Sequence, residues 1–258
     1  LEEILGYPHA GNDVFYVRGC NNQAEEIYAF LKVERQETAD IEREVETIKK
    51  LNLSFVPEIL DYSFEPPKYI LTKAEKGRRL SIILGEREET QALDYMESYG
   101  ELLAAFHSLD IECKPVKERE LMPSHDFFDK NEMLDVERYL KWTEIYPTKC
   151  FIHGDCHYAN ILWDNGGISC VLDYELSGYG DKEYDLAWAI LLRPGQKFLK
   201  TTDEREKFLD SYSKYCTFNR KAFDYYTVLF GSYFYQISPG DEFQEYRSII
   251  KHLIYEII

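Results

Sequence analysis

Apolar and polar positions alternate with a period of two over residues 13–18, 27–33, 58–64 and 68–73, which predicts four strands. A helical period over about 38–51, with Ile41, Val45 and Ile48 on one stripe, places a single helix among them. From residue 90 onward the helical period dominates. Tyr99, Leu102, Leu103 and Phe106 open it, and amphipathic stretches follow near 126–146, 183–192, 203–216, 220–236 and 241–257. The texture changes between Lys73 and Leu84, where a Gly and several charges interrupt the strand pattern. The pattern therefore predicts an α+β protein with a small β-rich part, 1–73, and a larger, mainly helical part, 74–258.

One island of strand lies inside the helical part. Residues 160–163 and 168–172 flank Asp164-Asn165-Gly166-Gly167, a hairpin signal because Asn and Gly accept positive φ. If that four-residue turn centres the pairing, residue 160 lies opposite 171, and Asp173 returns beside Asn160.

Composition narrows the function classes. The 258 residues are 45% hydrophobic and 15% aromatic, a chain that buries a core. Lys plus Arg number 30 against 47 Asp plus Glu, a net charge of −17, which disfavours nucleic acid and anionic membranes and favours cationic small molecules. The longest apolar run, Leu186 to Leu192, is far below the roughly 20 residues of a membrane span. Six scattered cysteines without a Cys-x-x-Cys pair fit reduced thiols and a cytoplasmic protein. The chain starts at Leu1 without a signal segment, and is expected to be trimmed at its start. None of these patterns sets an oligomeric state.

The chemistry concentrates in Phe151-Ile152-His153-Gly154-Asp155-Cys156-His157-Tyr158-Ala159-Asn160. Asp155, Asn160 and, through the hairpin, Asp173 supply oxygen donors of the kind that suits Mg²⁺ beside phosphate. One carboxylate can accept a proton from an attacking hydroxyl while the others hold the metal, a layout for phosphoryl transfer. The strand at 27–33 places Tyr28, Phe30 and Lys32 on one face, so Lys32 can reach phosphate and Phe30 can stack on a base or fill a core. Glu44 falls in the apolar stripe of the following helix, and a carboxylate turned to the core wants a cation; Lys32–Glu44 is the expected pair. His153, Asp155 and His157 also spell a zinc-hydrolase-like cluster, short of ligands for zinc. Asp181 and Asp185 read as braces for the loop, and the aromatic 220–236 stretch as a packed helix.

These segments, "FLKV", "DIEREVETIKKL", "HGDCHYANIL", "VLDYEL" and "GDKEYDLAWA", resemble the aminoglycoside phosphotransferase family, small-molecule kinases related to choline kinases and protein kinases. The resemblance implies a two-lobed, protein-kinase-like fold with ATP or GTP and Mg²⁺ between the lobes. It implies Asp155 as catalytic base, Asn160 and Asp173 as Mg²⁺ ligands, and Lys32 on the α- and β-phosphates, held by Glu44. It further implies that backbone at Thr72 and Ala74 grips the adenine edge, and that His9-Ala10-Gly11-Asn12-Asp13 covers the nucleotide. Only eleven residues separate Asp173 from Asp185, too few for a peptide-docking activation segment. The expected reaction moves the γ-phosphoryl group to a hydroxyl of a small cationic molecule, an aminoglycoside antibiotic first; "DYELSGY" keeps choline or another amino-alcohol or sugar open. A nucleotide-binding protein without catalysis is the further alternative.

Overall fold

Strands β1 (Glu3–Gly6), β2 (Asp13–Cys20), β3 (Glu26–Val33), β4 (Ile59–Ser63) and β5 (Tyr69–Lys73) form an antiparallel sheet in the order β1-β2-β3-β5-β4. This computed structural model describes residues 1–7, 13–20, 23–36, 39–85 and 92–258. Helix α1 (Ile41–Lys50) starts where Asp40 accepts the Arg43 amide at 3.0 Å, carries Glu42 and Glu44 in its first turn and ends on Lys49 and Lys50, the charge order the helix dipole favours. Its stripe of Ile41, Val45 and Ile48 is buried.

The chain divides into two compact units, Leu1–Ile83 with Tyr158–Ser177, and Leu84–His157 with Gly178–Ile258. The sheet-bearing unit thus takes in more chain than a cut after residue 73, and the pairing explains why. β6 (Arg78–Arg79) hydrogen-bonds to β8 (Ile161–Asp164), which pairs with β9 (Gly167–Val171), and the Val171 amide donates to the Phe55 carbonyl at 2.8 Å. The hairpin is tighter than a four-residue turn: Asp164 pairs with Gly167, and Asn165 (φ 50°) and Gly166 (φ 81°) make a two-residue left-handed turn. Beyond Trp163–Ile168 the register slips by one, so Ile161, not residue 160, faces Val171. The slip leaves Ser169 bulged, with its hydroxyl donating to the Lys76 carbonyl at 2.7 Å. Even so, the Leu172 amide donates to the Asn160 carbonyl at 2.8 Å, which brings the chain before Asp173 back to Asn160 as the hairpin predicts.

Helix α2 (Leu80–Leu84) follows β6 along the chain. In the second unit, α3 (Leu93–His107) buries Tyr99, Leu103 and Phe106 and packs on α7 (Thr202–Ser213), whose Thr201 and Glu204 form a capping box. The predicted 126–146 stretch is two helices, α4 (His125–Lys130) and α5 (Leu134–Trp142), because Glu132 at φ 56° breaks the helical path. β7 (Lys149–Ile152) pairs antiparallel with β10 (Gly178–Asp181), which leads into α6 (Lys182–Ile190). The aromatic 220–236 segment is one helix, α8 (Arg220–Gln236), with Phe223, Phe230 and Phe234 inside, and α9 (Gln244–Ile257) follows. No helix among the described residues is long and apolar enough to cross a membrane.

Candidate active site

The first unit gathers one ammonium and three carboxylates. Lys32 on β3 places Nζ 2.8 Å from Glu44 Oε2, 2.8 Å from Asp173 Oδ1 and 3.2 Å from Glu175 Oε2. Glu44 comes from α1, and Asp173 and Glu175 from the segment after β9. Burial alone would drain charge from Lys32, but Glu44, then Asp173 and Glu175, outweigh it and push its proton affinity well above the usual lysine value. Burial raises the Glu44 carboxyl, with Lys32 pulling the other way. The three carboxylates lie within 4.8 Å of one another and are all-oxygen donors, a set that fits Mg²⁺.

Several contacts fix this geometry. Glu44 Oε1 accepts the Tyr174 amide at 3.3 Å, the Ser177 hydroxyl donates to Thr47 at 3.1 Å, and Arg43 donates to the Ser177 carbonyl at 3.0 Å, so α1 holds the 173–177 segment along its length. Asp173 itself sits at φ 69°, a left-handed conformation uncommon for a residue with a Cβ.

The face of β3 that carries Lys32 also carries Phe30 and Tyr28, with Tyr16 of β2 5.0 Å from the Phe30 ring. Thr72 of β5 lies opposite Phe30 on one side and Ile59 on the other, inside the sheet. The Ala74 amide donates to the Tyr28 carbonyl at 2.8 Å, so it serves the sheet. Of the expected nucleotide-covering loop, residues 9–12 lie outside the described residues; Asp13 opens β2 and pairs with Arg35.

In the second unit, β7 delivers the 153–157 loop. Asp185 on α6 accepts the His153 amide at 2.8 Å and the Gly154 amide at 2.9 Å, the brace the sequence suggests. Asp181 does not reach this loop; it pairs with Lys149 and accepts from Tyr226. Glu183 is fully buried and accepts the Thr148 and Asn219 amides, so this acid holds the fold. Asp155 Oδ1 accepts from Trp188 Nε1 at 2.7 Å and from Arg119 at 3.3 Å, and Oδ2 lies 3.7 Å from His157 Nε2. Burial works to raise the Asp155 carboxyl, yet the His157 hydrogen bond and the Arg119 charge hold it far below the ordinary range, fully ionised near neutrality. His157 is shifted down by burial, with Asp155 opposing, so it is neutral at the same pH. Among the described residues, His153, Asp155 and His157 do not converge as metal donors; the carboxylate trio is the group that does.

The pairing of Lys32 with Glu44 was legible in the sequence; the contact of Lys32 with Asp173 was not. Glu175 was missed, although Asp-x-Glu around a buried Tyr174 puts both carboxylates on one side. Arg119 lies in an aperiodic stretch, and Trp188 reads as core within its apolar run.

An antiparallel sheet crossed by a carboxylate-bearing helix, followed by a helical unit that holds an ionised aspartate loop, is the protein-kinase-like α+β fold. The chain matches the phosphotransferase enzyme family over residues 4–215 and belongs to that family. It is 27% identical over 175 residues to an aminoglycoside 3'-phosphotransferase of Enterococcus faecalis, a match covering 59% of this chain and 65% of that relative, just under two thirds of its length. Among solved structures, it is similar to a thermostable mutant of aminoglycoside phosphotransferase APH(4)-Ia in complex with AMP-PNP and hygromycin B, with TM-score 0.68, 15% identity, and 98% and 93% of the two chains covered. It is also similar to amicoumacin kinase hAmiN in complex with AMP-PNP, Ca²⁺ and Ami, with TM-score 0.59, 14% identity, and 99% and 89% covered. A third is choline kinase LicA from Streptococcus pneumoniae, with TM-score 0.64, 16% identity, and 98% and 92% covered. At these identities the likeness is one of fold.

Proposed function

We propose that the protein transfers the γ-phosphoryl group of ATP or GTP, with Mg²⁺, to a hydroxyl of a small cationic molecule, an aminoglycoside first. The observation that carries this reading is the half-buried Lys32 ammonium held between Glu44 and Asp173, since a fixed cation beside oxygen donors is what a triphosphate requires. Asn160 and Asp173 hold the Mg²⁺, with Glu175 beside them; when bound, the ion neutralises charge on the phosphates. Lys32 binds the α- and β-phosphates, and Glu44 aims it. Phe30 stacks on the base, and the Thr72–Ala74 segment meets its edge, Ala74 through its carbonyl because its amide serves Tyr28.

Asp155 accepts the proton of the acceptor hydroxyl as the acceptor-oxygen to γ-phosphorus bond forms and the bond to the β-phosphate oxygen breaks. Its low proton affinity makes it an orienting acceptor that receives the proton late. Aminoglycosides lead because of the net charge of −17 and the acidic side chains Asp241, Glu242 and Glu245; Asp181 and Glu183 are occupied within the fold.

A coupled ADP-release screen of kanamycin-type compounds, choline and other amino-alcohols, with both nucleotides, tests the reading. Turnover of an aminoglycoside is expected, and turnover of choline alone would replace the acceptor. Asp155→Asn should lower kcat by roughly 10²–10⁴ with nucleotide affinity retained, because a base acts chiefly in the transition state. Equal turnover would remove Asp155 from that role.

A further inference from the structure

Asp155 is gripped from one side by two groups that come from distant parts of the second unit. Trp188 Nε1 donates to Oδ1 at 2.7 Å, the shorter of the two contacts at that oxygen, and Arg119 donates to it at 3.3 Å. Arg119 is itself immobilised. Its guanidinium donates to the Gly154 carbonyl at 2.6 Å and through Nε to the Tyr184 hydroxyl at 2.8 Å, and it lies 3.9 Å from the Trp188 ring centroid. Tyr184 and Trp188 stand one turn apart on α6, with rings nearly parallel at 9°. Trp188 also meets Arg193, whose guanidinium carbon lies 5.0 Å from the ring centroid.

We propose that Arg119 and Trp188 are positioning residues: together they fix Asp155 Oδ1 and its peptide, and so present Oδ2 as the atom that receives the acceptor's proton. This rests on Asp155 as the base, and goes beyond that assignment by naming the groups that aim it. The geometry has a physical reason. A carboxylate rotates about its terminal bond in a broad, two-fold well, so an unheld Asp155 would offer either oxygen in many directions. Two donors on one oxygen, the shorter from a rigid indole, remove that freedom before substrate arrives, which is the preorganisation a proton acceptor needs. The groups facing Asp155 are Arg119, Trp188 and Tyr184, with His153 and His157 of its own loop. Asp185 spends both oxygens on the loop amides; Arg119 and Trp188 meet Asp155 at Oδ1, and His157 lies 3.7 Å from Oδ2.

The test reads the contact and its consequence separately, on the full-length protein. Trp142, Trp163 and Trp188 are the three tryptophans, so the indole ¹H–¹⁵N spectrum holds three signals, and Trp188→Phe identifies one by its loss. That signal should lie downfield, as expected for donation to a carboxylate, and should move upfield in Asp155→Asn. Trp188→Phe, which keeps a ring under Arg119 but deletes the donor, should lower kcat about tenfold, with nucleotide KM within about twofold; ADP release is followed with kanamycin, choline or water as acceptor. In the Asp155→Asn background the same substitution should have no further effect, as required of a group that acts through Asp155. Arg119→Lys keeps the charge but loses the fork, and should reproduce the loss of kcat without unfolding the chain. An indole signal unmoved by Asp155→Asn, or equal losses from Trp188→Phe in both backgrounds, overturns the proposal. Wild-type turnover in Asp155→Asn with the indole signal shifted overturns the base assignment instead.

Discussion

At the scale of single residues, the Lys32 cluster is asymmetric: one cation faces three carboxylates. Removing the cation and removing an anion therefore have unequal costs. Lys32→Met takes the shared cation from Glu44, Asp173 and Glu175, whose carboxylates lie within 4.8 Å of one another, and a buried pair broken in this way costs about 3–5 kcal/mol. Glu44→Gln leaves Lys32 with Asp173 and Glu175, and the expected loss is about 1–2 kcal/mol. Urea denaturation should order the proteins wild type, Glu44→Gln, Lys32→Met; the reverse order of the two variants would show that Lys32 does not balance the cluster. The folded lysine pKa is raised, so its contribution is complete below the unfolded value of about 10.4 and is lost only as pH climbs through the higher folded value. The gap between wild type and Lys32→Met should thus stay flat from about pH 6 to 10. The Lys32–Glu44 half of this cluster was legible because Glu44 occupies an apolar position of a helical stripe, where a charge has no cheap reading. The left-handed backbone at Asp173 was not, since it is imposed by Glu44 and Thr47 contacts from far along the chain.

At the scale of elements, α3 and α7 approach closely at Gly100. A Cβ there would stand 2.4 Å from the Phe208 carbonyl oxygen and 3.0 Å from the Tyr212 amide nitrogen, backbone atoms that cannot swing aside. Helix propensity alone would make alanine better than glycine by about 1 kcal/mol, but overpacking of this kind costs about 1–3 kcal/mol. The net cost of up to about 2 kcal/mol should lower the Tm of Gly100→Ala by up to roughly 8 °C, at about 2–4 °C per kcal/mol for a chain of this size. A raised Tm would mean the helices can part without cost. Period and length made the long elements legible: β2, β3, α1 and α8 fall where alternation or a 3.6-residue stripe puts them. The misses are short or bent. β7 and β10 have four residues each, and β10 contains two glycines. The α4–α5 break depends on one residue at positive φ, and the hairpin slip on one bulged serine; none of these leaves a periodic trace.

At the scale of the molecule, family membership was legible because several motifs keep their order along the chain, whereas the grouping of residues 161–171 with the sheet-bearing unit depends on pairing to β6 and to Phe55 that no local pattern encodes. Net charge is the whole-molecule property that bears on the acceptor. A field of −17 draws in a polycation and repels a nucleotide, and salt screens both effects, the Debye length falling from about 30 Å at 0.01 M to about 8 Å at 0.15 M. If the acceptor is an aminoglycoside with several ammonium groups, kcat/KM for it should fall about tenfold or more between about 0.02 and 0.5 M salt. Choline, with a single charge, should lose only about two- to threefold. For ATP the sign reverses, because screening relieves repulsion, and kcat/KM should hold or rise. Steady-state kinetics over a salt series with both acceptors reads all three trends. A polycation whose kcat/KM ignores salt would show that recognition is local contact alone, and would take away the charge argument that places aminoglycosides ahead of amino-alcohols.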